Sequence, residues 1–197
     1  MKRLELLDYA RFVATLCVLN FHYLFNGINN GKISSITYID GIVDIAKYGY
    51  LGVEFFFMAS GYVIYLSLGN KSAGQFIAAR ITRLYPVFWA AVILTSCFTI
   101  LWGGPMMSVT LPQFLANLTM LPSIFGYGYV DGVYWTLEFE LRFYLLVLFF
   151  LIVGLRRRLN LVFMLWPVLM LAAFLFELQH LPYMGGYYCF FATGVLF

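Results

Sequence analysis

Ionisable side chains inside apolar segments are the first feature of this sequence that could support chemistry. The stretch RFVATLCVLNFHY begins with Arg11 and contains His22, and an α-helix would place both on one face, about 16 Å apart. Such groups are costly inside a membrane span and normally face the protein interior or a wet cavity. Histidine titrates near neutral pH and can therefore accept a proton. The alternative is that Arg11 extends to the membrane surface and His22 only hydrogen-bonds a neighbouring helix.

A pair of arginines lies at the start of the third apolar segment. Arg80 and Arg83 share a helical face just before Pro86, which is expected to begin the span. Two guanidinium groups at one site can bind phosphate oxygens through paired hydrogen bonds. The same pair could instead serve only as a basic anchor at the cytoplasmic surface.

Two further segments carry polar residues where lipid would not favour them. The stretch YWTLEFELRFYLL contains Glu138 and Arg142, whose spacing predicts a structural ion pair on a helix. Glu140 projects in another direction and can meet a different helix. In GVEFFFMASGY, Ser60 lies near the middle of the second apolar segment, where Gly61 allows another backbone to approach closely.

The composition indicates that the elements positioning these residues are membrane helices. Of the 197 residues, 63% are hydrophobic and 11% are charged, whereas a soluble domain is usually about half apolar and roughly a quarter charged. No basic run with interleaved aromatic residues points to a nucleic-acid partner. The three cysteines are scattered in apolar surroundings, which argues against a disulfide framework or a metal site.

The apolar runs predict an all-α bundle of transmembrane helices. A bilayer core of about 30 Å needs about 20 helical residues, and about six runs approach this length. The predicted spans are Leu6–Phe25, Tyr50–Leu68, Tyr85–Trp102, Leu137–Gly154, Leu159–Phe176 and Gly186–Phe197. A shorter helix at Leu115–Met120 cannot cross the bilayer and is expected to be re-entrant or interfacial.

The basic residues orient the predicted bundle with its N-terminus in the cytoplasm. Among the residues outside the spans, this orientation leaves only Lys32 and Lys47 on the outer side. It also puts the segment from Gly103 to Asp131 outside. The run RRRLN, which starts at Arg156, is expected to act as a topology anchor. The predicted cytoplasmic basic residues are Lys2, Arg3, Lys71, Arg80, Arg83, Arg156, Arg157 and Arg158.

The motifs, taken in order, resemble those of the membrane acyltransferase-3 family, bacterial O-acyltransferases that modify polysaccharides and related surface molecules. The resemblance rests on the stretches LDYARFVATLCVLNFHY, GVEFFFMASGY, RITRLYPVFW, YWTLEFELRFYLL and CFFATGVLF. The first stretch supplies Asp8, Arg11 and His22 at the family's spacing. The fourth supplies Trp135 and Glu140.

The resemblance covers the whole chain, residues 1–197, as the N-terminal part of a single acyltransferase-3 domain. Family members usually have about ten spans, and this chain is expected to stop in the sixth, truncated at its C-terminus. The resemblance implies a multi-pass protein in contact with the lipids of the bacterial inner membrane. It also implies an acyl-CoA donor, in the simplest case acetyl-CoA, a carbohydrate or lipid-linked hydroxyl acceptor, and no further cofactor.

Acyl transfer from a thioester to an alcohol requires a base, a stabilised oxyanion and a held donor. His22 is the predicted base, and it lies about 24 Å along the first span, in the outer half. Arg80 and Arg83 are predicted to bind the phosphates of CoA at the cytoplasmic mouth, from which the long arm of CoA would reach towards the imidazole.

Four other residues complete the predicted site. Glu140 is expected to orient the imidazole, and Arg11 is expected to hold a carbonyl or phosphate of the donor. Ser60 is expected to donate a hydrogen bond along the path of the donor. The fourth residue, Trp135, is assigned to substrate binding from its place in the family motif.

Two other functions fit the same residues. Polar groups inside a helix bundle also describe a small transporter or a carrier of lipid-linked substrates. A truncated relative could also be inactive and only assemble with partners. Release of free thiol from acetyl-CoA would separate the enzyme from both alternatives.

Overall fold

The computed structural model describes residues 2–104 and 107–197, and the side chains of residues 5–104 and 107–197. Within these ranges the regular elements are helical and no strand is present, so the all-α prediction is confirmed. A π-helical turn, His22–Asn26, joins the first two α-helices. The α-helices are α1 (Lys2–Phe21), α2 (Gly27–Asn29), α3 (Ile42–Ala46), α4 (Leu51–Leu68), α5 (Ala73–Trp102), α6 (Leu111–Leu118), α7 (Trp135–Ile152), α8 (Leu159–Leu175) and α9 (Tyr188–Leu196).

Three segments among the described residues are long and apolar enough to cross a membrane: Ile42–Leu68, Ala73–Trp102 and Leu155–Leu175. Each overlaps a predicted span. The helices α1 and α7, which carry ionisable residues, are not in this group. The count of six spans and the cytoplasmic N-terminus stay predictions, and Lys2 and Arg3 lie outside the described side chains.

The chain divides into two compact units. Unit 1 comprises Met1–Ser67 and Asn160–Phe197, and unit 2 comprises Leu68–Leu159. Unit 1 therefore contains α1 and α9 together with nearly all of α4, whereas unit 2 contains α5, α6 and α7. The assignment of the whole chain to one domain stays a prediction.

In unit 1, glycines let the backbone of α4 pack directly against the backbones of α1 and α9. A Cβ atom added at Gly61 would overlap the carbonyl oxygen of Phe191 on α9. A Cβ atom added at Gly52 would lie 2.6 Å from the carbonyl oxygen of Ala14 on α1. Small residues permit such close helix packing in an apolar environment. They fix α4, and with it Ser60, between α1 and α9.

In unit 2, α5 begins earlier than the sequence predicts. The Gln75 N–H donates to Ser72 Oγ at 3.2 Å, and the Ser72 N–H donates to Gln75 Oε1 at 2.9 Å. This capping box satisfies N–H groups that a helix start otherwise leaves unpaired, and the helix begins at Ala73. Pro86 lies inside α5, and the candidate span runs from Ala73 to Trp102, so the prediction that the span begins at Pro86 is wrong.

The residues that follow α5 fold back along it. The Tyr85 hydroxyl donates to the Thr119 carbonyl at 3.0 Å, and Trp89 Nε1 donates to the Leu118 carbonyl at 2.9 Å. Both aromatic residues lie near the middle of α5. The C-terminal end of α6 therefore lies beside α5 at a level about 20 Å back from the last residue of α5, Trp102. This geometry suits a re-entrant segment, although its depth in the membrane stays a prediction.

A buried asparagine closes the loop between α6 and α7. Asn117 is fully buried, and its Nδ2 donates to the carbonyls of Gln113 at 2.9 Å and Gly128 at 3.0 Å. Its Oδ1 accepts from the Val130 N–H at 3.0 Å. Because one amide side chain satisfies three backbone groups, the loop has a defined path into α7.

The first arginine of the RRR run has a structural role that the sequence does not predict. Arg156 Nη1 donates to the Gly69 carbonyl at 2.7 Å, and its Nη2 donates to the Lys71 carbonyl. Arg157 and Arg158 are exposed. Arg156 therefore ties the turn after α7 to the turn after α4, in addition to any effect on topology.

Arg156→Ala should lower the melting temperature of the detergent-solubilised protein more than Arg157→Ala. Hydrogen bonds from a charged donor are worth about 1.5–3 kcal/mol. Because Arg156 is only half-buried, its removal should lower the free energy of unfolding by an amount near or below the lower end of this range. For a chain of this size, about 1 kcal/mol corresponds to about 2–4 °C. Equal melting temperatures for the two variants would show that these hydrogen bonds contribute nothing.

Candidate functional site

His22 occupies the first position of the π turn in unit 1 and is half-buried. Its imidazole makes an edge-to-face contact with the ring of Phe21, with 5.3 Å between the centroids. The chain is α-helical from Arg11 to Phe21. The prediction that Arg11 and His22 share one helical face assumes this conformation. The N–H of Gly27 donates to the His22 carbonyl, and this bond closes the wider turn. Turns of this kind are rare and often occur at functional sites.

Arg11 and Ser60 also belong to unit 1, but Ser60 does not lie beside His22. Arg11 is half-buried, and Ser60 is buried on α4. The contact of Gly52 with Ala14 sets the register of antiparallel α4 and α1. Ser60 lies eight residues beyond Gly52, and His22 lies eight residues beyond Ala14 in the opposite direction, so the two are about 24 Å apart along the helices. A direct contact between Ser60 and His22 is therefore excluded.

Three of the motif residues form a buried cluster in unit 2. The guanidinium carbon of Arg80 lies 5.6 Å from the ring centroid of Phe76 and 5.7 Å from that of Tyr144, which are distances typical of cation–π contacts. The Tyr144 hydroxyl donates to Glu140 Oε1 at 2.6 Å. Arg80 is only 6% exposed and Tyr144 only 4%. Tyr144 thus lies between a buried cation on α5 and a carboxylate on α7.

The two arginines of the predicted phosphate site have different environments. Arg80 is buried in this cluster, whereas Arg83 is exposed on α5. Only Arg83 presents its guanidinium group openly to a ligand. The sequence pattern does not distinguish the two arginines, because spacing on a helix gives a shared face but not the depth of each side chain. Tyr144 was not predicted as a site residue, although its four-residue spacing from Glu140 was a usable signal.

Trp135, the first residue of α7, is half-buried. Its ring packs edge to face against Phe139, with 5.7 Å between the centroids. This contact gives the indole a fixed position at the start of the helix. Its assignment to substrate binding, like the orientation of the imidazole by Glu140, stays a prediction.

A second network in unit 2 surrounds Glu138, which is only 3% exposed. Arg142 Nη2 donates to Glu138 Oε1 at 2.5 Å, which confirms the predicted ion pair. The Ser123 hydroxyl donates to the same oxygen, and the Tyr129 hydroxyl donates to Oε2 at 2.9 Å. Ser123 and Tyr129 were not predicted as partners of Glu138, because both lie in the fold-back segment and helical spacing cannot place residues there.

The environment of Tyr129 keeps its hydroxyl protonated. Burial, followed by the hydrogen bond to Glu138 and the charge of that carboxylate, raises the pKa of Tyr129 to about 12. The neutral hydroxyl therefore donates to Glu138 throughout the physiological pH range.

Among the described residues, no group of three or more His, Cys, Asp or Glu side chains could hold a metal ion.

Tyr129→Phe should destabilise the protein at pH 9, and the difference from the wild type should shrink as the pH rises from about 10 to about 12. The tyrosine pKa is raised on folding, from 10.0 to about 12. Its contribution is therefore complete below about pH 10 and is lost as the pH passes through about 12. Melting temperatures of the two proteins at pH 9, 10 and 11 measure the effect. A difference that grows with pH would contradict this account of Tyr129.

Residues 4–197 match the sequence model of the acyltransferase-3 family, which is described as an acyltransferase domain. The match covers nearly the whole chain and includes both units. It therefore includes the π turn at His22, the Arg80 cluster and the Glu138 network.

One curated relative that the chain resembles is the exopolysaccharide production protein ExoZ of Rhizobium meliloti (strain 1021). The two are 32% identical over 104 residues, which is 49% of this chain and 32% of the relative. The chain thus spans about a third of the length of this relative. No solved structure matches the chain.

Proposed function

Because this chain belongs to the acyltransferase-3 family, we propose that it transfers an acyl group from acyl-CoA to a hydroxyl group of a carbohydrate. In the simplest case the acyl group is acetyl. The acceptor is a cell-surface polysaccharide or a lipid-linked glycan, and the protein is a multi-pass protein of the bacterial inner membrane. The similarity to a protein named for exopolysaccharide production supports a carbohydrate acceptor.

The observation that carries the catalytic assignment is the half-buried imidazole of His22 at the π turn of an apolar helix. We assign it as the general base. The imidazole takes the proton of the acceptor hydroxyl, and the oxygen attacks the thioester carbonyl. The tetrahedral intermediate then collapses, the C–S bond breaks, and CoA leaves as its thiol after receiving the proton from the imidazolium.

The donor is proposed to bind through basic side chains. The exposed guanidinium of Arg83 is suited to a CoA phosphate because arginine forms paired hydrogen bonds with phosphate oxygens. Arg80, packed against two aromatic rings, contributes a buried positive charge. Arg11 is proposed to hold a carbonyl or phosphate of the donor along its path.

The proposed topology has a cytoplasmic N-terminus. It is supported by the hydrogen bonds from Arg156 to the carbonyls of Gly69 and Lys71, because they put two basic loops at the same end of unit 2. Cytoplasmic loops are enriched in basic residues. The donor phosphates would then bind on the cytoplasmic side, where CoA is made.

The proposed function predicts a specific change in the cell. Mass spectrometry of surface and lipid-linked glycans, with and without the gene, should show O-acyl groups that disappear on deletion and return on complementation with the wild type. Complementation with the His22→Asn variant should fail. Identical acylation in all these strains would contradict the proposed acceptor class.

His22→Asn should abolish acyl transfer while leaving the protein folded and able to bind CoA. Asparagine keeps a hydrogen-bonding group but cannot accept the proton, and loss of a general base costs about 10²–10⁴-fold in rate. Transfer of radioactive acetyl groups in native membranes measures the rate, and binding of CoA serves as the control. Near wild-type transfer by this variant would make the imidazole structural.

Arg83→Ala should weaken donor binding by about tenfold to a hundredfold, because a charge-assisted hydrogen bond is worth about 1.5–3 kcal/mol. Its melting temperature should not change, since the side chain is exposed. Arg80→Ala should lower both donor affinity and melting temperature, because Arg80 packs against two rings. Titration with acetyl-CoA tests both variants. Unchanged affinity in both would leave these arginines as membrane anchors.

A further inference from the structure

Gly27 is the residue at which the π turn of His22 is closed. Its N–H donates to the His22 carbonyl, five residues earlier. Its own carbonyl accepts the N–H groups of Lys32 at 2.9 Å and Ile33 at 3.0 Å. One residue therefore joins the carbonyl of the proposed base to the loop that follows α2.

The absence of a side chain at Gly27 is required by space and not by backbone conformation. The φ and ψ angles, −64° and −40°, are ordinary helical values that any residue adopts. Gly27 is buried, however, and an added Cβ would lie 2.6 Å from Ile33 Cδ1 and 2.8 Å from the His22 carbonyl oxygen. The first contact involves the end of a flexible side chain, but the second involves backbone.

The close contact with the His22 carbonyl has a direct consequence for the imidazole. A larger residue at position 27 pushes on the peptide plane between His22 and Tyr23, and this plane sets the direction in which the His22 side chain leaves the helix. It also works against the hydrogen bond that closes the π turn. Because the π turn is a rare conformation, it depends on such local support.

We propose that Gly27 is a positioning residue for His22: it holds the π turn in place, and the turn aims the imidazole at its reaction partner. This inference rests on the proposed role of His22 as the base. It assigns a function to a residue that makes no contact with the reacting atoms. It also explains why a buried helical position with ordinary dihedral angles carries glycine.

The imidazole itself can report the effect, because the chain contains only two histidines. In the NMR spectrum of the 197-residue protein labelled with ¹⁵N-histidine, Gly27→Ala should shift the ring signals of His22 and leave those of His180 in place. The control is Gly74→Ala, since an added Cβ at Gly74 meets no atom within 4 Å. Unchanged His22 signals in Gly27→Ala would overturn the proposal.

A second variant separates the two contacts of the added methyl group. In Gly27→Ala combined with Ile33→Ala, the conflict with the Ile33 side chain is removed, but the conflict with the His22 carbonyl remains. The shifted His22 signals should therefore persist. Their return to the wild-type positions would show that position 27 acts on the loop and not on His22, and would also overturn the proposal.

Kinetics with acetyl-CoA in native membranes complete the test. Gly27→Ala should lower kcat by about tenfold to a hundredfold, as expected for a displaced catalytic group, and leave the KM for acetyl-CoA unchanged. In the His22→Asn background, Gly27→Ala should cause no further loss. Additive losses would contradict positioning through His22. If His22→Asn is itself active, the assignment of His22 as the base fails, whereas the NMR experiment still decides whether Gly27 positions the imidazole.

Discussion

A buried charge in an apolar protein must find its hydrogen-bonding partners within the protein, and the arrangement of unit 2 depends on this requirement. Glu138 accepts from three side chains, two of which lie in the fold-back segment after α5. The carboxylate thereby holds that segment against α7. On the same helix, Glu140 and Tyr144 extend towards Arg80. Helix α7 thus carries both the anchor of the loop and the carboxylate of the candidate site.

Unit 1 fixes the proposed base, His22, through the backbone. Glycines let α4 approach α1 and α9, and the π turn that begins at His22 follows the first helix. A catalytic imidazole needs a defined direction within a small tolerance, because small displacements cost large factors in rate. In the proposed mechanism, the glycine-dependent turn supplies this direction.

The sequence predicts those features that depend on local periodicity. Apolar runs gave the helices α4 and α8 nearly to the residue, and four-residue spacing gave the pair of Glu138 and Arg142. The early start of α5, the π turn and the different depths of Arg80 and Arg83 were not predictable in this way. The start of α5 depends on a capping box, the π turn on one extra residue in a helical turn, and the depths of the two arginines on tertiary packing. The partners of Glu138 were missed because loop residues have no period.

The central claim is that the protein moves an acyl group from a thioester to a hydroxyl. The most direct measurement is release of free CoA thiol from acetyl-CoA by native membranes that contain the protein, with and without the glycan fraction of the cell. Thiol release that depends on both the protein and the glycans, and that is matched by acetyl groups on the glycan, is the predicted result. Acetyl-CoA that remains intact in the presence of protein and glycans would contradict the account.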